Sequence, residues 1–325
     1  MRAGLEPAVT GAIVRAVTVL DVRSLRRHAG PSEDFVRRLT GRTILGAVRR
    51  GKFLWLPLED PAGPTGPGDP ADLADPADPV DPTRPARLLD RAAPTEALVA
   101  HLGMSGQVLL RDRSVDDALT RIRFDLDHPG HGELRLNFVD QRIFGSMAID
   151  ELVATGDGAA GGYSGALAPI PAALVPRQVA HIARDPLDPA FSDRLFLSKL
   201  ASRRTGIKRA LLDQSLVSGI GNIYADESLW AARIHFDQPT DTLSRRRATT
   251  LLAEVRAVLA RALAEGGTSF DAQYVNVNGA SGYFSHSLNA YGRHGQACAR
   301  CGRLLVRESF MNRNSHFCPF CQRLR

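Results

Sequence analysis

Cys298-Ala-Arg-Cys301 and Cys318-Pro-Phe-Cys321 hold all four cysteines of the 325-residue chain, spaced C-x2-C-x16-C-x2-C. Each knuckle can present two thiolates from a tight turn to one tetrahedral ion, and Gly302 and Pro319 sit where such turns bend. The expected ligands of a Zn2+ ion are therefore Cys298, Cys301, Cys318 and Cys321. With four thiolates bound, no coordination position stays open for a catalytic water, so the zinc is structural. Two disulfides are the competing reading, which suits poorly a chain with no secretory segment and no spare cysteine. So short a module has little apolar surface, and metal binding, on the order of 10 to 16 kcal/mol in small fingers, would supply much of its folding free energy.

Working outward, residues 296–325 carry six arginines (Arg300, Arg303, Arg307, Arg313, Arg323 and Arg325) against the single acid Glu308. A basic finger points to nucleic acid. The formal net charge of +6 understates this, because residues 59–90 hold eight acids against Arg84 and Arg87 and leave +12 on the rest. That stretch also contains eight of the twenty prolines in an Asp-Pro pattern with few apolar residues. It cannot bury a core and is expected to be a disordered surface insertion. No run of eighteen apolar residues occurs, so the expectation is a cytoplasmic, nucleoid-associated protein with no membrane partner.

The first 150 residues alternate with period two. In Arg121-Ile-Arg-Phe-Asp-Leu-Asp, Ile122, Phe124 and Leu126 face one way; in Glu133-Leu-Arg-Leu-Asn-Phe, Leu134, Leu136 and Phe138 do. These read as paired strands joined at His128-Pro-Gly-His-Gly, and Thr43 to Leu58 reads as another pair bent near Gly51, giving an antiparallel sandwich. Gly, Ala and Pro then dominate up to about Pro176, and from Arg194 to Gly266 the apolar period becomes helical. Within that region Ile207-Lys-Arg-Ala-Leu-Leu-Asp-Gln and Asn222-Ile-Tyr-Ala-Asp-Glu-Ser-Leu-Trp read as helices flanking a glycine turn. The second helix starts at Gly219-Ile-Gly-Asn, where free N–H groups can meet a phosphate, with Asn222 and Lys208 as side-chain donors. The expected fold class is α+β: a sandwich over 1–152 interrupted at 59–90, a linker over 153–180, a helical domain over 181–290 and a finger over 291–325.

Taken in order, Leu211-Leu-Asp-Gln, Gly219-Ile-Gly-Asn-Ile-Tyr-Ala-Asp-Glu, Tyr291-Gly-Arg and the four-cysteine finger resemble the formamidopyrimidine-DNA glycosylases over nearly the whole chain. The resemblance implies a β-sandwich, a helix-two-turns-helix domain and a zinc finger gripping damaged duplex DNA. It implies base-excision repair of oxidised or ring-opened purines, such as 8-oxoguanine, by a bifunctional glycosylase and abasic-site lyase. An enzyme that extrudes a base needs wedges to fill the gap, and the matching positions are Met104 in His101-Leu-Gly-Met-Ser-Gly and Arg142 with Phe144 in Asp140-Gln-Arg-Ile-Phe-Gly. Lys52 matches the lysine that assists β-elimination, Arg313 the finger arginine that assists δ-elimination, and Arg203 a basic DNA contact. The glycine-bearing stretch 267–284 resembles the loop that closes over the extruded base. A clamp around one lesion needs only a monomer.

The chain departs from the family at its start. The family nucleophile is an N-terminal proline amine with an adjacent glutamate, whereas this sequence begins Met1-Arg-Ala-Gly-Leu-Glu-Pro. The expectation is a chain that is short at its amino terminus and silent as written. The alternative is a damaged-DNA-binding protein without catalysis, against which intact Lys52 and Arg313 argue. A zinc-finger transcription factor would need a helix presenting base-reading side chains, and none is legible.

Overall fold

A computed structural model describes residues 2–60, 93–115, 117–162, 173–265 and 287–325. Helix α1 (Arg2–Val9) leads into strand β1 (Ile13–Val19), a short 3-10 turn at Val22–Leu25 and helix α2 (Ser32–Leu39). Eight more strands follow: β2 (Val48–Arg50), β3 (Phe53–Leu58), β4 (Glu96–His101), β5 (Gln107–Arg111), β6 (Thr120–His128), β7 (Gly132–Val139), β8 (Ser146–Ala154) and β9 (Leu174–Pro176). They form two antiparallel sheets, ordered β1-β6-β7-β5 and β2-β3-β4-β8-β9. The alternating β6 and β7 pair as the sequence predicts, with Ile122 opposite Phe138 and Phe124 opposite Leu136. Their inward side chains meet Leu54, Leu56, Leu58, Leu98 and Ala100 from the other sheet, and α1 and α2 close the core with Leu5, Val9, Phe35 and Leu39.

Strand β3 is buried at all six positions, which is why Phe-Leu-Trp-Leu-Pro-Leu shows no polar alternation. Leu54, Leu56 and Leu58 face the sandwich core, while Phe53 and Trp55 face a second cluster with Val48, Val99, Val175 and Ile182. Part of that cover comes from the stretch expected to be a linker: β9 pairs with Leu152 to Ala154 of β8, and Val179 and Ile182 pack beneath it. A sheet covered on both faces admits an edge strand that sequence polarity alone conceals. Residues 61–90 of the acidic insertion lie outside the described residues. The chain leaves and rejoins the sheet at one place, where Leu58 pairs with Glu96 and Thr95 Oγ1 donates to Asp60 Oδ1 at 2.7 Å.

The second lobe comprises α3 (Asp193–Ala201), α4 (Ile207–Leu212), α5 (Asn222–Ala231) and α6 (Arg245–Ala264). Ser192 and Ser244 cap α3 and α6 by accepting from Leu195 and Arg247 N–H groups. Leu211, Val217, Ile220, Leu229, Leu251 and Val255 form the core of this lobe. The finger carries the hairpin β10 (Val306–Phe310) and β11 (Arg313–Phe317). Helix α5 holds the finger through three residues spaced four apart, hence on one face. Asn222 Nδ2 donates to the Asn314 carbonyl at 3.1 Å, Asp226 Oδ2 accepts the His316 N–H at 2.9 Å, and Trp230 Nε1 donates to Cys298 Sγ at 3.5 Å. The next residue after Asp226, Glu227, accepts the backbone N–H groups of Asn289, Ala290 and Tyr291 and fixes the entry into the finger.

The lobes meet at the β2–β3 turn. Gly51 sits there at φ +57°, and a Cβ on it would lie 3.2 Å from Ser218 in the turn before α5. Arg49 binds Asp185 at 2.7 Å and Arg50 donates to the Ile182 carbonyl at 3.1 Å. Among the described residues, no helix is long and apolar enough to cross a membrane.

Candidate nucleic-acid interface

Met104, well before them in sequence, is brought to Arg142 and Phe144 by two touching loops. Gly103, at φ +59°, packs so tightly that a Cβ would fall 2.6 Å from the Phe144 carbonyl carbon, so only glycine permits the contact. The buried Asp140 carboxylate organises the second loop: it accepts the Arg142 N–H at 3.2 Å, the Gly145 N–H at 2.6 Å and the Ser105 hydroxyl. While this backbone is pinned, the side chains project into solvent, Met104 at 55% and Phe144 at 50% exposure. Two large apolar side chains thus stand exposed on loops whose backbone is held rigid.

Lys52 occupies the β2–β3 turn beside this loop pair, and Arg313 opens β11 at the tip of the finger hairpin. Protein crowds the Lys52 amine even though the side chain still reaches solvent. That desolvation, followed by the charge of Arg313, holds its pKa below the usual lysine value. Residues from opposite ends of the chain thus share one electrostatic environment. His101 lies there as well, lowered to about 4 first by burial and then by Arg27, Lys52 and Arg26. Its imidazole is neutral near pH 7, and the three cations around it give this part of the protein a positive potential.

The other expected donors sit differently. Lys208 is fully buried: Nζ pairs with Asp226 Oδ1 at 2.7 Å and donates to the Asn314 carbonyl at 3.1 Å and to Ser315 Oγ at 2.8 Å. Fully buried and held between Asp226, Asn314 and Ser315, Lys208 ties α4 to the finger rather than standing at the surface as a free donor. Asn222 is also engaged, donating to the same Asn314 carbonyl, though it remains at the start of α5 beside the glycine turn. Arg203 pairs with Asp213 rather than standing free. Sequence reasoning passed over Asp140, Asp226 and Arg26. The first two lie inside quoted motifs, where an acid among mostly neutral or basic neighbours could have signalled internal anchoring. The loop at 267–284 lies outside the described residues.

In the finger, the ligating atoms of Cys298, Cys301, Cys318 and Cys321 all lie within 4.8 Å of one another. Sγ of Cys301 and Cys318 are 3.5 Å apart, far beyond a disulfide bond and near the roughly 3.8 Å edge of a tetrahedron with 2.3 Å zinc–sulfur bonds. Burial works against the Cys298 thiolate, but the Trp230 indole N–H and nearby backbone N–H groups bring its pKa down to about 6. Burial and the neighbouring cysteines push Cys321 up to about 12. A site that stabilises the Cys298 thiolate and resists those of Cys318 and Cys321 is one that a divalent cation completes, and the residues fit a structural zinc ion.

Comparison with known proteins agrees with this geometry. Residues 1–147 match the formamidopyrimidine-DNA glycosylase N-terminal domain, residues 182–273 the formamidopyrimidine-DNA glycosylase H2TH domain, and residues 295–324 the zinc finger found in FPG and IleRS. Because the first match begins at residue 1, the expectation of a short and silent chain gains no support. The formamidopyrimidine-DNA glycosylase of Leifsonia xyli is 58% identical over 100% of this chain and 97% of its own length, and that of Thermobifida fusca is 46% identical over 99% and 94%. Among solved structures, MutM (FPG) from Thermus thermophilus is 30% identical with a TM-score of 0.70, covering 100% of this chain and 96% of its own. Lactococcus lactis Fpg in complex with abasic-site DNA shares the fold at TM-score 0.71 and 24% identity, covering 99% of this chain and 96% of its own. With a sandwich, a helical lobe and a four-cysteine finger arranged as the relatives have them, the chain belongs to the formamidopyrimidine-DNA glycosylase family.

Proposed function

We propose that this chain acts, as a monomer, as a bifunctional DNA glycosylase and abasic-site lyase on oxidised or ring-opened purines in duplex DNA. The observation that carries this reading is the convergence of Lys52 and Arg313, close enough for the arginine charge to act on the lysine amine, beside the exposed Met104, Arg142 and Phe144. A depressed pKa enlarges the neutral share of the Lys52 amine, which can accept the sugar C2′ proton as the 3′-phosphate leaves. Arg313 stays charged and can hold the departing phosphate. Met104 and Phe144 fill the space of the extruded base and Arg142 faces the partner base. Arg203 and Asn222 are proposed phosphate contacts. Complexes named for Lactococcus lactis Fpg contain abasic-site and Fapy-dG DNA, consistent with lesions of this class.

The test is incision of an abasic-site duplex with product analysis. Lys52→Ala should lower the rate about 10²-fold or more, and Arg313→Ala should leave β-elimination products while δ-elimination products disappear. Binding should weaken steeply with salt, since phosphate contacts release counterions. Tight, lesion-selective binding with no incision would instead identify a damage-binding protein.

A further inference from the structure

The backbone carbonyls of the wedge loop converge on a residue that the sequence motifs do not mark. Arg26, which follows the 3-10 turn Val22–Leu25, donates Nη1 to the Ile143 carbonyl at 2.9 Å and to the Gly145 carbonyl at 2.8 Å, and Nη2 to the Phe144 carbonyl. Three consecutive carbonyls thus share one guanidinium. Ile143, between the two wedge residues, has φ +55°, a left-handed conformation that a β-branched side chain adopts only when its surroundings impose it. Asp140 secures the amides of this loop and Arg26 its carbonyls. Arg121 ties the two halves together, donating Nε to the Asp140 carbonyl at 2.8 Å and lying 3.5 Å from the Asp21 carboxylate that caps the 3-10 turn.

We infer that Arg26 is a positioning residue for lesion recognition, holding the Arg142-Ile-Phe-Gly loop in its left-handed conformation so that Arg142 and Phe144 enter DNA already oriented. The inference rests on the wedge reading proposed above. Its physical content is preorganisation: a loop ordered before binding loses less entropy when it inserts. The planar fork of arginine reaches three carbonyls at once, which a lysine ammonium on a single flexible stem does not reproduce.

Binding of the full chain to a duplex with a tetrahydrofuran abasic analogue opposite 2-aminopurine tests this without any cleavage step. Wild type should raise 2-aminopurine emission and Phe144→Ala should diminish the rise. Arg26→Ala and Arg26→Lys should each diminish it likewise and weaken binding about tenfold, the scale of lost hydrogen bonds to a charged group. On the Phe144→Ala background, Arg26→Ala should add less than about twofold, because the two act through one loop. Wild-type behaviour of Arg26→Lys would overturn the inference, showing that charge alone suffices, as would an undiminished effect of Arg26→Ala on the Phe144→Ala background. If wild type and Phe144→Ala respond alike, the wedge reading itself fails and the inference falls with it. Should Arg26→Ala not fold, Arg26→Lys and Arg26→Gln carry the same comparison.

Discussion

Lys208 and Asp226 form an ion pair sealed from solvent between α4 and α5, with Nζ 2.7 Å from Oδ1. Asp226 also accepts the His316 N–H, and Lys208 donates to the Asn314 carbonyl and the Ser315 hydroxyl. Two residues of the helical lobe thereby fix the strand that begins with Arg313.

Removing one partner leaves the other charge buried and unpaired. Lys208→Ala should cost about 3 to 5 kcal/mol of stability, and a Lys208→Met, Asp226→Asn pair, which removes both charges, should recover part of that loss. Thermal or urea unfolding with zinc present checks both. A Lys208→Ala protein as stable as wild type would show that the pair anchors nothing.

Lys52 should titrate below an ordinary lysine, and more nearly normally in Arg313→Ala. The sign follows from linkage: the folded state binds the proton less tightly than the unfolded, so a penalty on folding holds below the depressed pKa. That penalty is relieved as pH rises from there towards 10.5, the ordinary lysine value. Lys52→Met should therefore be more stable than wild type at neutral pH, with the difference fading at high pH. The chain has only three lysines, Lys52, Lys199 and Lys208, so NMR of the reductively methylated protein resolves the titration. An upward-shifted Lys52 would contradict the placement of Arg313.

The Trp230 indole lies beneath the Arg300 guanidinium, 4.1 Å from its carbon, and donates to Cys298. Hydrogen bonds to ligand atoms orient them and tune the site. Trp230→Phe keeps the ring and loses the N–H, and zinc release to a chromogenic chelator should be faster by about tenfold or more. Chelation of the wild type should change Trp230 emission while Trp55, buried in the sandwich, reports no change. Equal release rates would remove the indole N–H from the account.

The sequence announced elements whose chemistry is local. Cysteine spacing marked the finger, alternation marked β6 and β7, and the glycine turn marked the α4–α5 pair, because each pattern reflects a constraint satisfied within a few dozen residues. What stayed hidden depends on distant partners. β9 looks like linker because its burial comes from a sheet already covered on both faces. Lys208 looks like a phosphate donor because its acceptors, Asn314 and Ser315, lie about a hundred residues away. Arg26 carries no motif at all, since its acceptors are backbone carbonyls, which leave no trace in side-chain identity.

The central claim, that this protein performs amine-catalysed lyase chemistry at a damaged nucleotide, is tested most directly by borohydride trapping on duplexes containing 8-oxoguanine or an abasic site. The 325-residue chain would be run beside one preceded by the family's Pro-Glu start. The account predicts a covalent protein–DNA adduct that requires the lesion, with Lys52→Ala and Arg313→Ala changing the elimination products. Lesion-specific binding by both chains with no trapped adduct from either would contradict it.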